Sequence, residues 1–379
     1  MYGNEHGFGA LTVTVYALAY MLFAPVFGAI SDRFGRKNMI LLGMFVLALG
    51  TALTAFASSL MELLIFRVIT GLGAGILEPA VFSLVGDRFP YEKRGQAMGI
   101  VTGSLTMSTL VGVPLGSFMA DLISWRWSFW SISFFCLFTF ILLITGIQRD
   151  HGKRTESPIL QGIFKPFHMA IFDIPVLFSL LATFLWFGGL QGMFANTGVF
   201  YHTRFQLSVS EVGVILSLAG LGSVVGSFVG GKWSDRYGKK KMIGFSSVCA
   251  AASLFSLSVI PTKEVVVAVI IHICWATAFG FGHAALTALI SELNPAARGM
   301  VLSLNSSAMY AGMTVATALS SALLYEFGFW GVGSMCSLAT FLVYPLLLFL
   351  SVRGQKAKQH KIFTNQKSPV SNHDCWTSG

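Results

Sequence analysis

Apolar runs of roughly 18 to 25 residues recur along almost the whole chain, each long enough to cross a hydrocarbon core as a helix. Eleven are read, near residues 8–30, 40–57, 63–85, 95–120, 128–147, 174–200, 210–231, 242–260, 265–290, 298–323 and 329–351. The runs are continuously apolar and do not alternate, so the pattern predicts membrane helices and not the strands of a barrel. The leader MYGNEHGF carries Glu5 and no Lys or Arg, and the run after it is too long for a secretory signal, so the first span is read as retained. Composition agrees: 54% of the 379 residues are hydrophobic and only 11% are charged. The mean hydropathy is +0.72, which lies outside the range of soluble domains.

Lys and Arg resist translocation, so their placement predicts topology. With segment 31–39 inside, the loops alternate so that 21 of the 25 Lys and Arg fall on the cytoplasmic side. Arg126, Arg204 and Lys263 lie outside, and Arg67 alone sits within a span. This puts the N-terminus outside and the C-terminus in the cytoplasm, in a cell membrane. The net charge of +9 is then a topology signal spread over short loops, not the clustered basic face of a nucleic-acid binder.

The remaining chemistry is sparse. Four of the five cysteines, Cys136, Cys249, Cys274 and Cys336, fall in apolar spans as small packing residues, and Cys375 lies in the tail. No metal-ligand spacing appears, and the eight histidines are scattered. Gly226 to Lys232 spells GxxxxGK, but Trp233 stands where a Ser or Thr would hold magnesium, and no strand precedes it. An enzyme, a resident cofactor and ATP-driven transport are all disfavoured.

An internal repeat organises the chain. GAISDRFGRKNMI (28–40) matches GKWSDRYGKKKMI (231–243) at an offset of 203, and DRFPYEKRG (87–95) matches ELNPAARG (292–299) one residue shorter. Two copies of one helical bundle would enclose a cavity between them, which is transporter architecture.

Gly28 to Lys37 resembles the signature loop of the major facilitator superfamily. RVITGLGAG (67–75) resembles the fourth-helix motif of its proton-driven exporters. Thr102 to Gly116, with Gly103, Gly112, Pro114 and Gly116, resembles the antiporter motif, and WRWSFW (125–130) follows it as in that family. The resemblance implies the drug:proton antiporter branch, with GVPLG closest to exporters of drugs, sugars and nucleosides. It implies an all-α fold of two pseudo-symmetric bundles, a small-molecule substrate, protons as co-substrate and a monomer in the bilayer. The organisation read is a five-span bundle over 1–147, a linker over 148–173, a six-span bundle over 174–352 and a disordered basic tail over 353–379. One span precedes the signature loop where the family has two, so eleven spans are read against twelve expected. A misplaced start or a fragment accounts for this; a truncated, non-transporting remnant and an uptake carrier of the same fold are the alternative readings.

Candidate residues follow. Asp32 and Arg36 lie four apart about Gly35, and the resemblance implies that Asp87 joins them as a latch of the outward-facing state; Asp235, Lys239 and Glu292 would form the second copy. The competing reading is a solvated loop that merely obeys the charge rule. A cation at helix depth costs about 2.5 to 3.5 kcal/mol on insertion scales unless it is answered, so Arg67 is read as a proton-coupling residue unless it snorkels. Glu78, eleven residues on, shares its face of the helix but lies roughly 16 Å away along the axis, too far to pair directly. It is read as a protonatable or cation-binding group, unless Pro79 hydrates it. At an offset of 205, Arg67 falls on His272 and Glu78 on His283, either proton-relaying partners or hydrogen-bonded packing residues. Pro114 is expected to kink its span, and the glycines every fourth residue to let helices approach. Polar and aromatic positions in apolar spans, Trp186, Gln191, Asn196, Trp275, Asn305 and Tyr310, are read as substrate contacts, with plain packing as the alternative.

Overall fold

The computed structural model describes residues 5–147, 167–168, 172–259, 264–294 and 297–366, and these are almost entirely helical. The helices are α1 (Glu5–Phe34), α2 (Arg36–Phe56), α3 (Leu60–Arg88), α4 (Tyr91–Leu122), α5 (Trp125–Gly146), α6 (Ile174–Phe194), α7 (Thr197–Phe205), α8 (Val209–Tyr237), α9 (Lys239–Val259), α10 (Val265–Leu293) and α11 (Arg298–Gln366). Their ends are local chemistry. Ser59 and Ser124 cap α3 and α5, and Ser208 forms a capping box with Glu211 at the start of α8. Gly35 (φ 90°) and Gly238 (φ 96°) break the chain between α1 and α2 and between α8 and α9. Both positions require a positive φ that glycine adopts without strain, and they are 203 residues apart, matching the repeat.

Nine helices among the described residues are long and apolar enough to cross a membrane. One of them, α11, covers two expected spans and breaks at Gly328, where φ is 66°. Helix α6 and the short α7 form a single span. Helix α4 covers the expected run at 95–120 and packs within the body, but side chains in its second half lie outside the described residues and it is not among the nine, so the expected count of eleven is approximate. Beyond Arg353 the helical run of α11 continues to Gln366. Most of the linker 148–173, Lys263 and the tail 367–379 with Cys375 lie outside the described residues.

Side chains sort by solvent in the way a bilayer requires. Phe134, Phe135, Phe138 and Ile141 of α5 are exposed, and none of that span's apolar window is buried. Such an apolar outer face is stable only against lipid.

In the first half, α1 and α2 pack on α3, and α5 packs on α2. In the second, α6 and α9 pack on α11, and α8 and α9 pack on α10. The halves meet along two seams, α1 against α11 and α8 against α4, which the repeat relates to each other. Small residues bring the backbones together there. A Cβ on Gly28 would strike Ser303 and the Gly299 carbonyl, and one on Gly231 would strike the Gly95 carbonyl.

Candidate functional site

The charged ends of both seams lie at one end of the molecule. In the first, Arg36 pairs with Asp32 one turn before it and bonds Asp87 through Nε at 3.0 Å and Ser31 at 3.1 Å. Asp87 also pairs with Arg298 of the other half, which donates to the Ser291 carbonyl at 2.8 Å. The Asp32 carboxylate accepts from the backbone N–H groups of Gly299 (3.1 Å) and Met300 (3.4 Å). It thus caps the N-terminus of α11, where orphan donors and the helix dipole favour an anion.

The second copy repeats this across the other seam. Asp235 accepts from the backbone N–H groups of Gly95 and Gln96, both at 2.8 Å, near the start of α4. Lys239 bonds Glu292 at 2.8 Å, lies 3.4 Å from Asp235 and sits 3.9 Å over the Tyr91 ring. Arg94 approaches Glu292 at 3.7 Å. All six residues expected in the latch are therefore brought together in two groups of three. Sequence reasoning missed Arg298 and Arg94, and it missed the capping of each half's helix by the other half's aspartate. The second repeat pair carried the signal, since KRG and ARG place both arginines just before the glycine.

From this end the seams stay closed to mid-depth. Ser307 donates to the Met21 carbonyl at 3.0 Å, and the Tyr20 and Tyr310 rings meet at a tilt with centroids 4.4 Å apart. Across the other seam a Cβ on Gly103 would meet Phe228 at 3.2 Å, and one on Gly220 would meet Leu110 at 2.9 Å. Farther out, a Cβ on Gly112 or Gly116 would meet nothing within 4 Å among the described residues. Position 114 lies within the helical run of α4, and its side chain is outside the described set.

Between the seams lies the interior of the first half. Glu78 is deep in the molecule yet keeps part of its surface open, as a group lining an internal space does. Tyr20 faces it from α1, with Tyr16 and Tyr310 beside it. Arg67, one span-half away, rests its guanidinium 4.7 Å over the Phe129 ring, and its Nε is buried without a hydrogen bond. Phe129, in the WRWSFW tract, offers its ring face to this cation.

The second half departs from the expected symmetry. His283 is deep and partly open, between Phe187 (4.9 Å) and Phe279 (5.9 Å). His272 is instead 1% exposed, with Nδ1 3.3 Å from the Tyr201 hydroxyl and its ring stacked on Tyr201 and against Trp275. Hence it lines no cavity here. The two repeat pairs give offsets differing by two residues, and two residues turn a helix by about 200°, so an offset taken from loops does not fix which face a histidine takes.

The expected substrate contacts divide similarly. Trp186 and Trp275 are core residues, Trp186 stacked on Phe279 at 5.5 Å, and both are shut off from any cavity by aromatic packing. Asn196 is buried and committed to the Gly192 carbonyl and Ser320. Asn305, which accepts from Thr183 at 2.6 Å, keeps open surface, as do Gln191 and Tyr310.

Comparison with known proteins follows the same geometry. A family model described as Major Facilitator Superfamily matches residues 2–297 and again 200–377. A transporter of Bacillus subtilis (strain 168), YceJ, is 30% identical over 316 residues, covering 83% of this chain and 79% of its own. The multi-drug resistance efflux pump PmrA of Streptococcus pneumoniae serotype 4 is 26% identical over 86% of this chain and 81% of its own. The crystal structure of the human organic anion transporter MFSD10 (TETRAN) matches with a TM-score of 0.79 over 89% of this chain and 83% of that one, at 17% identity, a likeness of fold.

Proposed function

The chain belongs to the major facilitator superfamily, and from that premise we propose that it exports a small organic compound of the drug, sugar or nucleoside class in exchange for protons, by alternating access. Glu78 carries the reading: a carboxyl deep in the membrane body, partly open, beneath a fully engaged charged latch. An ionisable group at that depth is a functional group by default, because the membrane interior penalises it unless it is used. The charge rule makes the latch end cytoplasmic, so the conformation described is the outward-facing one. Similarity to an efflux pump supports export.

In this mechanism the two latches hold the cytoplasmic end shut while the far ends of α4 and α8 stand apart. Glu78 takes a proton from the outer side, the substrate leaves, and both latches must break before the site reaches the cytoplasm. Arg67 biases the charge of the cavity, and Tyr310, Asn305 and Gln191 contact substrate.

Purified protein in liposomes containing a pH-sensitive dye tests the reading against a panel of drugs, sugars and nucleosides. At least one compound is expected to discharge an imposed pH gradient through the native protein, and the Glu78→Gln and Arg67→Ala variants are expected to lose that coupling. A panel in which no compound moves protons, or a Glu78→Gln protein that still couples, removes the proposal.

A further inference from the structure

Arg67 and Glu78 lie on one helix, too far apart to touch, and the structure fills the interval from outside that helix. Tyr16 and Tyr20 are one turn apart on α1, held close to α3 because Gly71 and Gly75 pack against the Tyr16 and Tyr20 carbonyls. Tyr310 enters from α11 of the other half, its ring 4.4 Å from that of Tyr20. The three form a cluster with Ala24, Ala74 and Leu47. Around it, Arg67 is the charged neighbour of Tyr16, Tyr16 and Tyr310 present their hydroxyls to each other, and Tyr20 lies between Glu78 and Ser306. Two polar atoms at the ends of this array are buried and unspent: the Tyr20 hydroxyl, on a residue with no exposed surface, and Arg67 Nε.

We propose that Tyr16, Tyr20 and Tyr310 form a hydroxyl bridge that carries the protonation state of Glu78 to the seam between the halves. The proposal rests on Glu78 being the proton site. When Glu78 gives its proton to cavity water, the carboxylate gains a demand for donors. The Tyr20 O–H turns to it in a charge-assisted hydrogen bond, without transferring its own proton. The carboxylate thereby fixes the Tyr20 ring against Tyr310 of α11, and the seam stays closed at mid-depth. When Glu78 is protonated, its neutral carboxyl competes weakly for that donor, Tyr20 is released, and the seam loosens at mid-depth. Because α11 contributes both Ser306 and Tyr310, separation of the halves dismantles the bridge, and the coupling runs in both directions as linkage requires. The titratable or charged groups facing Glu78 are Tyr16 and Tyr20 from α1, Tyr310 from α11 and, through Tyr16, Arg67 from its own helix.

The test is the pH dependence of latch-end opening. Probes are placed at exposed Asn38 and Lys241, on opposite halves, in full-length protein in lipid nanodiscs with the five native cysteines replaced. Pulsed electron paramagnetic resonance reads the separation from pH 5 to 9. The native protein is expected to open as pH falls, and Glu78→Gln, which mimics the protonated carboxyl, to stay open throughout. Tyr20→Phe and Tyr310→Phe, which keep the ring and remove only the hydroxyl, are expected to halve the amplitude or displace the midpoint by about one pH unit. Tyr16→Phe serves as a third variant if either fails to fold. If the hydroxyl-free variants titrate like the native protein while Glu78→Gln does not titrate, the bridge is wrong and the proton site stands. If Glu78→Gln titrates normally, both fall.

Discussion

At the scale of single residues, the latch divides its work unequally. Asp32 serves as salt-bridge partner and helix cap together, so Asp32→Asn removes the charge that Arg36 needs while keeping an oxygen for the cap. The expected loss is about 2 kcal/mol, roughly a thirty-fold shift toward latch-end opening, with membrane insertion unchanged; equal label separations in variant and native protein would refute it. Arg298 is nearly buried and makes close contacts to Asp87 and Ser291, whereas Arg94 meets Glu292 only at 3.7 Å. Arg298→Ala should therefore lower the melting temperature markedly more than Arg94→Ala, because it removes a nearly buried guanidinium with its bonds to Asp87 and the Ser291 carbonyl. The sequence made Asp32, Arg36 and Asp87 legible through their spacing and their resemblance to a family signature. Arg298 was not legible, since its partner is 211 residues away and an arginine at a helix start counts, in one dimension, only as a topology charge. Trp186 and Trp275 are hard to place from sequence for a related reason: an indole in an apolar span reads the same whether it faces a cavity or a core.

Elements were easier to read than their faces. Continuous apolar length marks a span regardless of what it packs against, which is why ten of the eleven runs appear as long apolar helical segments, and the run at 95–120 is helical within α4. Which side of each helix meets the other half depends on rotation, and the repeat did not fix it, as His272 demonstrates. Where small residues permit contact, the structure makes a sharp distinction. Gly231→Ala would drive a methyl into the Gly95 backbone and force α4 and α8 apart, at a cost of about 1 to 3 kcal/mol. Gly116→Ala meets open space in this state and should stay within about 0.5 kcal/mol. Thermal denaturation of both variants in detergent checks the pair; equal destabilisation would mean that α4 and α8 are packed together along their full length. A reduced transport rate for Gly116→Ala with normal stability would mark the far end as a surface that closes in the opposite state.

For the whole molecule, the decisive geometric fact is that both cross-capped latches lie at the same end. An aspartate from each half accepts from backbone N–H groups in the first two turns of a helix in the other, so an opening there would have to break both seams together and would be a motion between bundles, not a local fraying. The cations bear on which face of the membrane that end occupies: Lys37, Lys239, Lys240 and Arg298 cluster there, while Arg204 lies at the other end, within α7. The positive-inside rule then turns one end inward. Single cysteines at Asn38 and Lys241, introduced into a cysteine-free protein in intact cells, should resist a membrane-impermeant maleimide until the membrane is permeabilised, whereas one at Gln206 should react at once. Asn38 and Lys241 flank the two signature loops from different halves, so labelling of one but not the other from outside would place those loops on opposite faces. The cross-capping contacts would then be impossible in the membrane, and the alternating-access reading would lose its geometric basis along with its direction.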